Sequence, residues 1–160
     1  MVNMPDPSRL VKVSFRLDPE RVGFRGEHLW AERVGSNRFR LLNIPFHAPG
    51  FGYHDVVFAK RRRTGELYVT GVSLRSGHST FWIVVADGAG EAFPRWWARL
   101  KALGCGYEST GHVYATDVPP ETSLDHVYAI LDAGEAAGVW TFEEAHRGHL
   151  TAGVDGTAER

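Results

Sequence analysis

The chain has 160 residues, of which 43% are hydrophobic, and its 18 Lys+Arg and 19 Asp+Glu give a formal net charge of −1. This apolar content excludes a disordered chain, and a chain of this length is most simply one domain. The balanced charge argues against a protein dedicated to nucleic acid or to anionic membranes, so neither is expected as a partner.

A single cysteine, Cys105, cannot form an internal disulfide, so we expect a reducing compartment and a cytoplasmic protein. No stretch reaches the roughly 18 apolar residues of a membrane-spanning helix, and the N-terminal residues lack the apolar run of a signal peptide. We expect flexible tails at residues 1–9 and 151–160, and one domain over residues 10–147.

The first half of the chain is patterned as strands. Alternating apolar and polar residues predict them in five segments: residues 10–17, 27–34, 37–46, 54–60 and 66–74. Within the third segment the hydrophobic phase switches after Leu41, which is typical of a β-bulge. These features predict a curved or barrel-like antiparallel sheet.

The second half alternates strands with helices. A strand at 79–86 is apolar on both faces, and a short strand at 112–118 stops at Pro119-Pro120. Apolar residues at helical spacing predict helices at 91–103 and 122–137, and a last short strand follows at 139–142. The predicted fold class is therefore α+β, with the curved sheet joined to a β-α-β-α layer resembling half of a ferredoxin-like unit.

Several motifs resemble a bacterial family. They are LWAERVGSNRFRLLNIPF (29–46), DVVFA (55–59), SGHST (76–80), TDVPP (116–120) and WTFEEA (140–145). Together they are similar to the domain of unknown function numbered 4265, most specifically through NIPF and SGHST in that order. The resemblance covers nearly the whole chain and implies a soluble, single-domain bacterial protein. It implies no activity.

The SGHST motif is the strongest candidate for a site, because it clusters polar side chains where a loop enters a central strand. His78 and Ser79 are adjacent, so on an extended backbone their side chains point to opposite faces, which argues against a Ser-His hydrolase. No Gly-x-Ser-x-Gly elbow is present either. We therefore take His78 as a candidate general acid or base, since its ordinary pKa lies near neutrality.

His78 needs partners that could form a groove between the curved sheet and the second layer. The candidate polar wall consists of Asn43, His47, Asp55, Ser79 and Thr80, and the candidate apolar wall of Trp30, Phe46, Phe51 and Tyr53. Such a groove predicts binding of a small molecule or peptide, with or without acid–base chemistry on it. The alternative is a non-catalytic interaction protein, an immunity or regulatory partner, whose surface would be the Trp96/Trp97 helix and the exposed sheet edge. A homodimer is a further candidate assembly.

Two further patterns are weaker. His47, His54 and Asp55 could hold Zn²⁺, as could Glu143, His146 and His149 if helical, but neither set has HExxH spacing or paired cysteines. We therefore assign no metal or cofactor and leave open whether His47 and His54 bind a metal. The basic run at 60–63 is expected to be a solvated hairpin tip.

Overall fold

In the computed structural model, which describes residues 4–22 and 26–149, the first five strands form a closed ring. Consecutive strands pair antiparallel, and the first pairs with the fifth through a short parallel ladder, Val13 with Leu67 and Ser14 with Tyr68. The strands are β1 (Leu10–Arg16), β2 (Gly26–Gly35), β3 (Arg38–Leu41), β4 (Val56–Arg61) and β5 (Leu67–Leu74).

The ring is filled by alternate side chains of its strands, although on β4 these are Val57 and Ala59 and not Phe58, which is exposed. The side chains that fill it are Val13, Phe15, Leu29, Ala31, Phe39, Leu41, Val57, Ala59 and Leu67, all buried. The expectation of a bulge within the third strand is wrong: β3 ends at Leu41, and the register shift of its pairing with β2 lies at Arg33/Gly35. The change of hydrophobic phase marks the point where the chain leaves the sheet.

A second, four-stranded antiparallel sheet follows, with two helices in its connections. Its strands are β6 (Ser79–Val85), β7 (Gly106–Thr110), β8 (Val113–Val118) and β9 (Trp140–His146), in the order β7-β8-β6-β9. Helix α2 (Phe93–Ala102) joins β6 to β7, and α3 (Leu124–Ala136) joins β8 to β9. The α+β prediction is confirmed, and the second layer is a complete β-α-β-β-α-β unit.

Strand β7 was missed in the sequence because its residues, GYEST, are almost all exposed and show no apolar alternation. It lies at the edge of the sheet. Two shorter elements complete the described chain: a 3-10 turn at Pro7–Arg9, within the predicted N-terminal tail, and α1 (Pro19–Val22). The predicted C-terminal tail lies outside the described residues.

The helices cover one face of the second sheet and form a second core there. Trp97 and Leu100 of α2 and Leu131 of α3 are buried against Phe81 and Ile83 of β6. Of the adjacent tryptophans, Trp97 is buried, whereas Trp96 is half-buried with the Arg99 guanidinium 4.0 Å from its ring centre. No helix in the described part of the chain is long and apolar enough to cross a membrane.

Residues 42–55 connect β3 to β4 and contact the second sheet. Trp82 Nε1 donates to the Pro45 carbonyl at 2.8 Å, and Thr80 Oγ1 donates to the Phe51 carbonyl at 3.1 Å. The carboxylate of Glu108 on β7 accepts from Asn43 Nδ2 at 2.7 Å and from the Ile44 amide. The connecting segment thus occupies the space between the two layers.

The ring holds the same segment with a carboxylate of its own. Glu27 on β2 is 8% exposed, and its carboxylate accepts from three consecutive backbone amides, those of Phe46, His47 and Ala48, at 2.6, 3.0 and 2.9 Å. Because a buried carboxylate needs such donors, Glu27 and the amides satisfy one another. Two carboxylates from different sheets therefore fix the segment between the layers.

Replacing Glu108 tests this coupling. In Glu108→Ala the Asn43 amide and the Ile44 N–H lose a charged acceptor, so we expect the free energy of unfolding to fall by about 2–3 kcal/mol. The matched control is Glu121→Ala, an exposed position, where a change within about 0.5 kcal/mol is expected. Urea unfolding measures both, and equal losses in the two variants would contradict the role given to Glu108.

Candidate functional site

The turn between β5 and β6 places His78, and it is built on the buried carboxylate of Asp55. This carboxylate accepts from the Gly52 amide at 2.9 Å, the Ser76 amide at 2.8 Å and the Arg75 guanidinium at 3.0 Å. Asp55 itself is 0% exposed. A charge so buried is stable only when paired and hydrogen-bonded, and Asp55 has both kinds of partner.

Ser76 links the Asp55 carboxylate to the backbone of His78. The Ser76 hydroxyl lies 2.7 Å from the Tyr53 carbonyl and 3.0 Å from Asp55 Oδ1, and it accepts from the His78 backbone N–H at 3.2 Å. The His78 carbonyl is also closely approached by two glycines. A Cβ at Gly52 would lie 2.7 Å from this oxygen, and one at Gly148 would overlap it. The backbone of His78 is therefore fixed from three sides.

The His78 ring forms a pair with Asp117 of β8. Its Nδ1 lies 2.7 Å from Asp117 Oδ1, and both side chains are largely buried. Since an ionised carboxylate only accepts hydrogen bonds, Nδ1 carries the proton. Within the described residues no group hydrogen-bonds Nε2, so this nitrogen is available for exchange of a proton. The β6–β8 register, which pairs Thr80 with Asp117, brings the two together.

Two more rings lie against His78. Tyr53 and His54 stack with their centres 3.9 Å apart, and both meet His78 edge-on, at 5.5 and 5.7 Å. His54 has a φ of 65°, in the left-handed region that residues other than glycine rarely adopt. Backbone strain of this kind is held only where the surroundings enforce it, and it is concentrated at functional sites.

Burial sets the protonation of the two stacked rings. It lowers the pKa of the His54 imidazole, which the neighbouring His78 and Arg40 lower further, while Asp117 and Glu32 act in the opposite direction. Burial likewise raises the pKa of the Tyr53 phenol, with Asp117 and Glu108 adding to the shift. Both side chains are therefore neutral at pH 7.

Tyr53 and His54 line a cleft of about 660 Å³. Its other walls come from the N-terminal segment and from the outer side of the ring: Met4, Pro5, Asp6, Arg9, Glu32, Arg40 and Leu42. The charged groups that line it form two ion pairs, each within one wall: Arg40 with Glu32 at 3.3 Å and Arg9 with Asp6 at 3.9 Å. The cleft thus combines an aromatic wall with two ion pairs of no net charge.

Most of the sequence-predicted polar residues lie elsewhere and hold the structure together. Asn43 accepts from the Trp30 amide at 2.8 Å and donates to Glu108, and Thr80 bonds the Phe51 carbonyl. Asp55 lies under the turn rather than in the cleft. His47 lies beside Phe46, its backbone amide bonded to Glu27.

Ser79 pairs with a histidine, although not with His78. Its buried hydroxyl lies 2.6 Å from His149 Nδ1 and accepts from the Gly148 and His149 amides. His149 Nε2 faces the carbonyls of Pro119 and Thr122 at 2.9 and 3.0 Å, so Nε2 carries the proton and Nδ1 accepts from Ser79. This pair fastens the segment after β9 and lines none of the clefts described.

Of the predicted aromatic wall, only Tyr53 reaches the cleft. Trp30 is 47% exposed on the outer face of the ring, with Lys12 Nζ 5.0 Å from its ring centre. Phe51 packs edge-on against Phe15 at 4.7 Å. Asp117 is not among the sequence-predicted site residues, and His54 is among them only as a metal ligand. A charged residue within the apolar strand 113–118 was the one signal for Asp117.

The candidate metal sets do not assemble in the described part of the chain. No group of three or more His, Cys, Asp or Glu side chains is close enough there to hold an ion. Glu143 and His146 lie on strand β9, not on a helix, opposite Trp82 and Thr80 of β6. Burial raises the pKa of the Cys105 thiol to about 12, which leaves it protonated and unreactive.

Comparison with known proteins adds the family and the fold. The family model "Domain of unknown function (DUF4265)" matches residues 27–142. The chain belongs to this family. A crystal structure of a hypothetical protein from Neisseria gonorrhoeae has a TM-score of 0.76 at 21% identity, covering 87% of this chain and 96% of that one, which shows a shared fold. No curated protein matches the chain.

His54 and His146 predict how the stability of this DUF4265 protein depends on pH. His146 Nε2 is buried without a hydrogen-bond partner among the described residues, 4.0 Å from Asp55 Oδ2, and burial lowers its pKa. An unfolded histidine titrates near about 6.5. Below that pH the unfolded state therefore binds more protons than the folded state, and the free energy of unfolding falls with decreasing pH.

We expect His146→Gln to lose less stability between pH 7.5 and pH 5.5 than the wild type in urea unfolding. The matched control is His126→Gln, which removes an exposed histidine of α3 and should keep the wild-type pH dependence. An unchanged pH dependence in His146→Gln would contradict the burial of a neutral His146.

Proposed function

We propose that the protein binds a small polar molecule or a short peptide in the Tyr53–His54 cleft, with His78 as a general acid or base beside it. The observation that carries this proposal is the His78–Asp117 pair, at 2.7 Å, packed directly behind the two rings that line a cleft of about 660 Å³. A concave cleft with a few convergent polar groups is the usual form of a small-ligand site.

The charges of the cleft indicate the kind of ligand. Two carboxylates and two guanidinium groups line it in pairs, so an ion of either sign would be attracted and repelled about equally. A ligand that is neutral or zwitterionic can exchange hydrogen bonds with both pairs. Its less polar part would lie on the Tyr53 ring and Leu42, where apolar surface is available.

The catalytic part of the proposal rests on the state of the two histidines. Asp117 fixes the tautomer and the orientation of the His78 ring, as a carboxylate does for a catalytic histidine in general. The neutral His54 ring lines the cleft and contacts His78 edge-on. Neutral His78, with its proton on Nδ1, would accept a proton from a ligand at this end of the cleft on Nε2.

The setting we propose is the bacterial cytoplasm, supported by the single cysteine and by the bacterial source of the similar crystal structure. The alternative of a non-catalytic interaction protein has less support at the predicted helix surface. Trp97 is buried, and Trp96 is covered in part by Arg99, so α2 presents no broad apolar patch.

A fragment screen tests the proposal through the histidines themselves. We expect small neutral or zwitterionic fragments to shift the imidazole NMR signals of His54, and His54→Ala to weaken their binding at least about tenfold because a wall of the cleft is lost. For a ligand that is turned over, His78→Gln should retain binding and lose turnover.

His126→Ala on α3 is the matched control and should bind like the wild type. Fragments that shift no His54 signal, or that bind His54→Ala and the wild type equally, would contradict the proposed site.

A further inference from the structure

A second surface, next to the Tyr53–His54 cleft along β1 and β2, carries an excess of positive charge. Lys12 and Arg16 project from β1, and Arg61 and Arg62 lie at the tip of the β4–β5 hairpin; all four are exposed. In residues 4–22 and 26–149 none of these four cations comes within 4.0 Å of a carboxylate. We call the surface that they surround the basic groove.

The groove consists of two adjoining clefts that share Ser14, His28 and Glu66. One, of about 160 Å³, is lined also by Arg16, Arg62 and Tyr68. The other, of about 470 Å³, is lined also by Lys12, Trp30 and Arg61. Glu66 is the one carboxylate among the described residues that line them. Four cations against one carboxylate, on a chain of net charge −1, show that positive charge is concentrated here.

Two of the four cations lie over aromatic rings. Lys12 Nζ lies 5.0 Å from the Trp30 ring centre, and the Arg62 guanidinium lies 4.5 Å from that of Tyr68. Cation–π contacts of this kind restrain long side chains that would otherwise be mobile. Between them, Ser14 Oγ and His28 Nδ1 form a hydrogen bond of 2.7 Å. The groove therefore offers an ordered row of charges with polar groups at its centre.

We infer that the basic groove binds an extended acidic peptide segment of a partner protein. A strand rises about 3.3 Å per residue, so Lys12 and Arg16 are about 13 Å apart along β1. An extended peptide covers that distance in four residues, and carboxylates on alternate residues would face the groove. Their attraction to unpaired cations supplies the affinity, and Glu66 can accept from the peptide's backbone N–H groups.

The same features disfavour single-stranded nucleic acid. Its binding sites stack bases on free aromatic faces, whereas Trp30 and Tyr68 each have a face occupied by a cation. Glu66, at the centre of the groove, would also repel a phosphate backbone that carries one charge on every nucleotide. A peptide has charges that can be spaced around Glu66, so it fits this pattern better.

The test measures the fluorescence anisotropy of a fluorescein-labelled octapeptide of alternating Glu and Ala. We expect it to bind the wild type in 50 mM NaCl and at least about tenfold more weakly in 500 mM NaCl, because salt screens exposed charges. The double variant Lys12→Ala/Arg62→Ala should bind at least about tenfold more weakly than the wild type. Both side chains are exposed, and thermal unfolding verifies that the variant is folded.

The matched control is Arg95→Ala/Lys101→Ala, which removes the same charge from exposed positions of α2 and should bind within about twofold of the wild type. An equal loss in the control would show a nonspecific charge effect and overturn the inference. No binding of the peptide, or tighter binding of a labelled oligothymidylate of the same charge, would overturn it as well.

Discussion

The buried carboxylate of Asp55 is the constraint on which the geometry around His78 depends. It lies just before β4, where the connecting segment 42–55 returns to the ring. It accepts hydrogen bonds from Gly52 in that segment and from Arg75 and Ser76 in the turn that leads to the second sheet. Removing a carboxylate from water costs several kcal/mol, and only the complete set of donors offsets this cost. The Gly52 loop and the Ser76 turn must therefore be in place together.

Two more carboxylates, the buried Glu27 and the half-buried Glu108, follow the same logic at different points. Glu27 fixes residues 46–48 from the ring, and Glu108 fixes Asn43 and Ile44 from the second sheet. The connecting segment lacks a regular strand or helix of its own, so its backbone amides need such acceptors. The result is a rigid connection that places Tyr53 and His54 against His78, and that leaves a cleft on the outer side of these rings.

Asp117 completes this arrangement from the second sheet. The backbone of His78 is held through Ser76 and Asp55, and its ring is held by Asp117 of the second sheet. The position of His78 therefore depends on both layers. The cleft and the basic groove, by contrast, lie on the outer surface of the ring, where side chains can vary without loss of the fold. In the function that we propose, a ligand site on the outer surface is supported by this rigid scaffold.

The sequence predicted the strands of the ring and both long helices well, because alternation at period 2 and at helical spacing depends on local burial. It missed β7, whose GYEST residues are almost all exposed. The second layer was therefore predicted as a β-α-β-α half of the observed β-α-β-β-α-β unit. The sequence selected His78 as a candidate site residue, but not Asp117, the partner of its ring. Asp117 is 39 residues away, and only the β6–β8 register makes them neighbours.

The same limit explains the residues of the predicted groove. The sequence places Asn43, Asp55 and Thr80 on the polar wall of a groove, but their hydrogen bonds are made within the protein. Composition cannot show whether a polar side chain satisfies a backbone amide or faces solvent. The basic run 60–63 was predicted to be only a solvated hairpin tip, because the net charge of the chain averages over the whole surface. In the fold, Lys12 and Arg16 of β1 lie beside this run.

Hydrogen exchange of the backbone amides in Asp55→Asn, compared with Asp87→Asn at an exposed position, tests the central constraint most directly. Loss of the buried charge should remove the protection of the Gly52, Ser76 and His78 amides while Val13 and Phe39, inside the ring, stay protected. The Asp87→Asn variant should match the wild type. If the amides of Ser76 and His78 exchange in Asp55→Asn as slowly as in the wild type, Asp55 does not hold the turn, and the account of the site is wrong.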